Sequence, residues 1–131
     1  MDEVTRLGQG KYVLVTTFKR DGTAVPTPVW AATDGAELLV WTVRGSGKVK
    51  RIRNSDRVEL APCDLRGRPS GPSVPGSARL LDAAGSERAR KIIQRKYGVL
   101  GWLTIAGSKL RRGADGTIGI AITPRQGPPA A

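Results

Sequence analysis

A strand-like apolar run passes directly into a basic segment in the first half of the chain. Residues 38–43 (LLVWTV) are apolar, and residues 44–53 (RGSGKVKRIR) combine a Gly-Ser-Gly turn with several cations. This order predicts a short helix over 47–54 that is capped at or near Ser46. The start of a helix has unpaired backbone N–H groups and a partial positive charge, so the junction suits a phosphate or another polyanion.

Two cations of this helix can converge on one ligand. Lys48 and Arg51 are three residues apart and share a helix face, whereas Val49 and Ile52 share another face that can pack inward. Three interpretations stay open: a solvated cationic face, a phosphate site and a nucleic-acid surface. A nucleic-acid surface needs exposed aromatic rings among the cations, and the few aromatic residues lie mostly in strand-like contexts, so nucleic acid is the least favoured partner.

The composition limits the chemistry that side chains could perform alone. The chain has no histidine, which removes the commonest general base and metal ligand, and its single cysteine, Cys63, excludes a multi-cysteine metal site. Its 11 acidic residues form no evident catalytic pair, and several occupy turns such as Asp21-Gly22 and Asp34-Gly35. We therefore expect no metal and assign no catalytic residue, and an enzyme of this composition would depend on a cofactor.

The charge balance predicts an anionic partner. The 22 Lys and Arg residues give a formal net charge of +11, which raises the local concentration of anions. No apolar run is long enough to cross a membrane, and the first residues lack the pattern of a secretory signal. These features favour a cytoplasmic protein with no membrane partner.

Hydrophobic alternation and turn residues predict the order β-β-β-α-β-β-α-β, preceded by a short N-terminal helix. The predicted strands are 11–19, 23–32, 36–43, 56–63, 74–82 and 117–123, and the predicted helices are 2–8, 47–54 and one that begins at Ser86 and ends at Gly98. Residues 99–107 are expected to form a second short helix or a loop over a pocket. Strands joined by hairpins favour a mainly β (α+β) antiparallel barrel with peripheral helices in one domain, 1–124, followed by a disordered tail, 125–131.

Two prolines within one predicted strand carry a topological prediction. Proline cannot donate to a ladder, so Pro26 and Pro28 predict that strand 23–32 lies at an edge, has a bulge, or turns its N–H side away from other strands.

Four segments together resemble the pyridoxamine-phosphate-oxidase-like split-barrel superfamily. They are YVLVTT at 12–17, DGTAVPTPVW at 21–30, WT at 41–42 with SGKVKRIRN at 46–54, and RVELAPC at 57–63. Within the superfamily the pattern is most similar to the actinobacterial flavin/deazaflavin oxidoreductases of class B, over about residues 8–123. The resemblance implies a six-stranded antiparallel split β-barrel of the FMN-binding type. It also implies a homodimer with two cofactor sites at the interface.

The same resemblance implies a function and a set of cofactor-binding residues. It implies an F420H2-dependent reductase that passes a hydride from the deazaflavin to an unsaturated or quinone-like small molecule. The implied phosphate-binding residues are Thr42, Ser46, Lys48, Lys50 and Arg51, and those beside the ring are Pro26, Thr27, Pro28, Val29 and Trp30, with Trp102 added from segment 97–103. An FMN-dependent oxidoreductase of the same fold stays open, as does a non-catalytic protein that binds a cofactor or nucleic acid.

Overall fold

The computed structural model describes residues 3–43, 45–112 and 117–124, without the side chains of 99–112. The helices are α1 (Glu3–Gly8), α2 (Gly47–Asn54) and α3 (Ala83–Arg112), and the strands are β1 (Tyr12–Phe18), β2 (Ala24–Val29), β3 (Ala31–Asp34), β4 (Glu37–Val43), β5 (Arg57–Cys63), β6 (Val74–Leu80) and β7 (Thr117–Pro124). The predicted class, mainly β with peripheral helices, is confirmed. The predicted tail 125–131 lies outside the described residues.

All strands belong to one curled antiparallel sheet. Its order is β2-β1-β5-β6-β7-β4-β3, and the two outermost strands, β2 and β3, are consecutive in the chain with only Trp30 between them. The sheet therefore closes on itself through the chain, as a barrel does. The prediction of six strands was wrong, since the described residues form seven. Predicted strand 23–32 is divided at Trp30 because its first part pairs with β1 and its second part pairs with β4.

This change of partner opens the barrel on one side. The last pair between β3 and β4 joins Ala31 to Val40, and beyond it residues 41–43 of β4 pair with β7 alone. Among the described strands β2 pairs only with β1. We call the opening between β2 and residues 41–43 the split.

The two prolines lie on the strand that borders the split. Pro26 is opposite Thr16 and Pro28 is opposite Leu14, while the other edge of β2 has no strand partner in the described sheet. The predicted edge position is confirmed, because a missing N–H costs no ladder bond where no strand is paired.

Alternate residues of the strands fill the barrel. The fully buried set includes Val13, Val15, Leu38, Val40, Val58, Leu60, Ile120 and Ile122. Val4 and Leu7 of α1 join the same cluster, and so does Ile52 of α2, whose inward face was predicted from its spacing. Each such side chain contributes about 1.5–3 kcal/mol by leaving water.

Helix α3 packs on the outer face of β3, β4 and β7, and it begins earlier than predicted. It begins at Ala83 because the carboxylate of Asp82 accepts a hydrogen bond from Gly85 N at 2.8 Å. Ser86, the predicted start, is buried, and its hydroxyl accepts from Gly119 N at 2.9 Å.

The middle of α3 confirms the predicted helix end at Gly98 and decides between the two expected forms of residues 99–107. Gly98 interrupts the helix with φ 64° and ψ −143°, as expected of a glycine at a helix end. Helical backbone then resumes up to Arg112, where a short helix or a loop was expected. No helix in the described ranges is both long and apolar enough to cross a membrane.

Candidate anion-binding site at the split

The chain enters α2 directly from the strand that borders the split. Ser46 is the N-cap, with extended backbone, and its hydroxyl accepts a hydrogen bond from Val49 N at 3.4 Å. The helix ends at Asn54, so its predicted bounds are confirmed. The N-cap leaves the hydroxyl proton of Ser46 able to donate to a ligand at the helix start.

Lys48 lies at this helix start and is buried. Its side chain is only 8% exposed, and no hydrogen bond or ion pair joins it to any residue that the structure describes. Burial, together with the nearby charge of Arg51, lowers the pKa of Lys48 below its ordinary value. The ammonium nitrogen is not among the fully buried unpartnered atoms, so it reaches solvent at the end of a largely buried side chain. A lysine that is desolvated in this way and has no partner is costly, and an anion placed beside it would reduce that cost.

Arg51 is fixed beside Lys48 by two residues that the sequence alone did not single out. Its Nε donates to Oγ1 of Thr17, a buried residue of β1, at 2.6 Å. A Cβ on Gly47 would lie 2.6 Å from Nη1 of Arg51, so the glycine makes room for the guanidinium group against the helix start. The terminal N–H groups of Arg51 then remain for a ligand.

The other two predicted phosphate residues do not join this cluster by their side chains. Lys50 is exposed on the outside of α2, and Thr42 is half-buried on β4, opposite Ile118 of β7. The structure thus brings together Ser46, Lys48 and Arg51. Lys50 acts there only through its charge.

The residues predicted to lie beside a cofactor ring line the opposite border of the split. Thr27 and Val29 are opposite the buried Val15 and Val13, so their side chains face the barrel interior. Pro26 and Pro28 alternate with them and face outward. These strand residues therefore do not form one row of side chains facing the split. What borders the split is the unpaired backbone edge of β2.

Trp30 lies at the closed end of the split, where β2 and β4 diverge. Its ring stacks on that of Tyr97, with centroids 4.3 Å apart and planes 9° from parallel. Tyr97 Oη donates to the Lys11 carbonyl at 2.7 Å and accepts from Ala31 N at 3.0 Å. These hydrogen bonds hold the Tyr97 ring, and the stacking contact holds the indole of Trp30 against it. The side chain of Trp102 lies outside the described residues.

Trp41 is the neighbour of Trp30 across the end of the split. Both belong to an apolar cluster with Ile93 and Tyr97. The Nε1 group of Trp41 is buried and has no hydrogen-bond partner among the described residues. A donor without an acceptor therefore lies at the base of the split.

Comparisons with known proteins support the fold. No protein-family model matches the chain, and no curated protein sequence matches it. Several solved structures, in contrast, have a similar fold. A Listeria innocua protein provisionally assigned as a pyridoxamine 5'-phosphate oxidase has a TM-score of 0.65 at 18% identity over 94% of this chain and 90% of its own. A structure described as an F420 reductase has a TM-score of 0.64 at 16% identity over 95% of both chains.

A third similar structure is a FAD-binding protein from Mesorhizobium loti, with a TM-score of 0.59 at 18% identity over 95% of this chain and 88% of its own. At these identities the likeness shows the fold alone. The chain therefore has the split-barrel fold of pyridoxamine 5'-phosphate-oxidase-like proteins, as the resemblance in its sequence implied.

Proposed function

We propose that this chain is an F420H2-dependent reductase that passes a hydride to an unsaturated or quinone-like organic substrate. The observation that carries the proposal is Lys48, a buried cation without a partner in the described structure, at the start of a helix that borders the split. An F420 reductase among the proteins of similar fold supports this choice of cofactor.

The site fits the phosphate of such a cofactor. Lys48 supplies a charge that the fold leaves uncompensated, Ser46 a hydroxyl, and Arg51 the free end of a guanidinium group that Thr17 holds in place. When bound, the deazaflavin would supply the hydride to the substrate.

The chain's part is to bind and orient the cofactor. Charge-assisted hydrogen bonds of the phosphate would anchor it at α2, and the free edge of β2 would limit where the ring lies. Tyr97 is a poor source of the accompanying proton, because burial raises its pKa and its hydroxyl is already bonded to the backbone. We therefore assign proton delivery to solvent.

FMN is the second candidate cofactor. It also ends in a phosphate, and a FAD-binding protein is among the structures of similar fold. An FMN-dependent oxidoreductase would use the same start of α2, so the phosphate site cannot separate the two cofactors.

A titration separates the two cofactors and tests the site. The purified chain is titrated with F420 and, separately, with FMN, using cofactor fluorescence. We expect micromolar or tighter binding of F420 and weak binding of FMN; the reverse order would make the protein an FMN enzyme, and binding of neither would refute the cofactor site.

Variants assign the binding to Lys48. Lys48→Met should raise the Kd for F420 at least about tenfold, because one charge-assisted contact contributes about 1.5–3 kcal/mol. Arg53→Ala removes an exposed charge from the same helix and should change the Kd less than about threefold. Equal effects of the two variants would show that net charge, and not the site, holds the cofactor.

We also propose that the protein is a homodimer in which the second copy completes the ring site. The split is bordered by two strand edges without a strand partner in the described sheet, those of β2 and of residues 41–43, so a second copy of the chain has edges to pack against. Sedimentation velocity should give twice the chain mass of 13.9 kDa. A monomer that binds F420 with full affinity would contradict the shared site.

A further inference from the structure

A second concave surface lies between β3 and the first half of α3. It is a groove of about 870 Å³, within the size range of pockets that bind small organic molecules. Ala32 and Ile92 give it an apolar lining, and Arg88, Lys91 and Arg95 face it from α3. It shares no lining residue with the cluster at the start of α2.

The carboxylates of this groove are already engaged. Asp34 accepts from Arg88 at 2.7 Å, and Glu87 pairs with Arg90 one helical turn away. Lys91 and Arg95 are exposed, and no hydrogen bond or ion pair joins either to another described residue. The groove therefore keeps two cations that the fold does not neutralise.

The spacing of these cations is unfavourable for the helix by itself. Lys91 and Arg95 are four residues apart on one face of α3, and like charges at that spacing destabilise a helix. Lys96 adds a third charge at the end of the groove, where its ammonium group donates to the carbonyls of Gly8 and Gly10 at 2.7 and 2.8 Å. An anion bound between Lys91 and Arg95 would attract both side chains and so offset their mutual repulsion.

We propose that the groove binds an amphipathic organic anion, whose acidic group lies between Lys91 and Arg95 and whose apolar part covers Ile92 and the exposed Ala84. An inorganic anion would use only the two cations, whereas an aryl carboxylate or sulfonate would also bury apolar surface. This site goes beyond the proposed reductase function, since it requires neither the split nor Lys48.

Isothermal titration calorimetry with naphthalene-2-sulfonate tests the site, with inorganic sulfate as the anion without an apolar part. The full chain should bind the naphthalene anion at least about tenfold more tightly than sulfate. Failure of the chain to bind the naphthalene anion, or equal affinities for both anions, would overturn the proposal.

Two matched double variants locate the binding. Lys91→Ala with Arg95→Ala should raise the Kd for naphthalene-2-sulfonate at least about tenfold, and Arg66→Ala with Arg68→Ala, which removes the same charge from an exposed loop, should change it less than about twofold. Equal losses in the two double variants would show nonspecific attraction and overturn the site. Titration of the same proteins with F420 reports on the split separately, so each proposal can fail without the other.

Discussion

At the scale of single residues, two lysines whose pKa values are both lowered have opposite roles. Burial lowers the pKa of both Lys48 and Lys96. Lys96 donates to three backbone carbonyls, of Gly8, Gly10 and Ala31, and so ties α3 to the segment before β1 and to the start of β3. Lys48 has no such bonds in the described structure. One lysine therefore holds the fold together, and the other is suited to a ligand.

Replacing Lys48 with Met should stabilise the protein in the absence of cofactor. The variant removes an unpaired buried charge and keeps the apolar stem, so we expect the free energy of unfolding to rise by about 0.5–2 kcal/mol at neutral pH. Urea denaturation measures it. A less stable Lys48→Met protein would mean that the ammonium group stabilises the fold, and the observation behind the proposed cofactor site would be lost.

The same variant should show a specific pH dependence. The pKa of Lys48 is lower in the folded protein than the ordinary value of 10.5, so wild-type stability gains as pH rises from the folded pKa towards 10.5. The advantage of Lys48→Met is therefore complete below the folded pKa and disappears near pH 10.5. Urea denaturation at a series of pH values would show this convergence; a gap that stays constant with pH would assign the effect to packing instead.

Lys96→Met is the matched counterpart. It removes three hydrogen bonds to carbonyls, and because the side chain is partly exposed we expect a loss of only about 1–2 kcal/mol. The same urea experiment measures it. Stabilisation by this variant would contradict the role assigned to Lys96.

At the scale of elements, the bounds of helix α2 could be predicted from the sequence, whereas the change of strand partner at Trp30 could not. Alternation and the Gly-Ser-Gly turn predicted the bounds of α2, and the spacing of Lys48 and Arg51 predicted that they converge. The division of strand 23–32 at Trp30 had no local signal, because the apolar pattern runs on while the neighbouring strand changes from β1 to β4. The hydrogen bond from Arg51 to Thr17 joins residues 34 positions apart, so no local sequence pattern could predict it.

Gly98 is the element-scale position where one residue type is required. Its φ of 64° and ψ of −143° lie in a region that is almost restricted to glycine, and the space around its Cα is open. Gly98→Ala should therefore lower the free energy of unfolding by about 1–3 kcal/mol through backbone strain alone. Gly10→Ala, where φ is ordinary and a Cβ makes only normal contact, is the control and should change stability by less than about 0.5 kcal/mol. Equal stabilities of the two variants would show that the helix does not need this bend.

At the scale of the whole molecule, the positive charges near α2 fall into two groups, an exposed group and the buried Lys48. Several exposed cations surround the end of the barrel that carries α2, namely Lys19, Arg20, Lys50, Arg53 and Arg57. Arg57 packs on the ring of Phe18, 4.0 Å from its centroid, and pairs weakly with Glu59 at 3.6 Å. Such a surface attracts anions over a distance comparable to the Debye length, whereas the buried Lys48 acts only on contact.

This division of roles predicts a kinetic difference. Lys50→Ala with Arg53→Ala should slow the association of F420 by about two- to fivefold at low ionic strength, and the effect should vanish near 0.5 M salt because exposed charges are screened. Lys48→Met should leave the association rate nearly unchanged and raise the dissociation rate about tenfold or more, since a buried charge acts in the bound state. Stopped-flow fluorescence at two salt concentrations measures both rates. If Lys48→Met slowed association and left dissociation unchanged, Lys48 would belong to the attracting surface, and the anchor of the cofactor would have to lie elsewhere along the split.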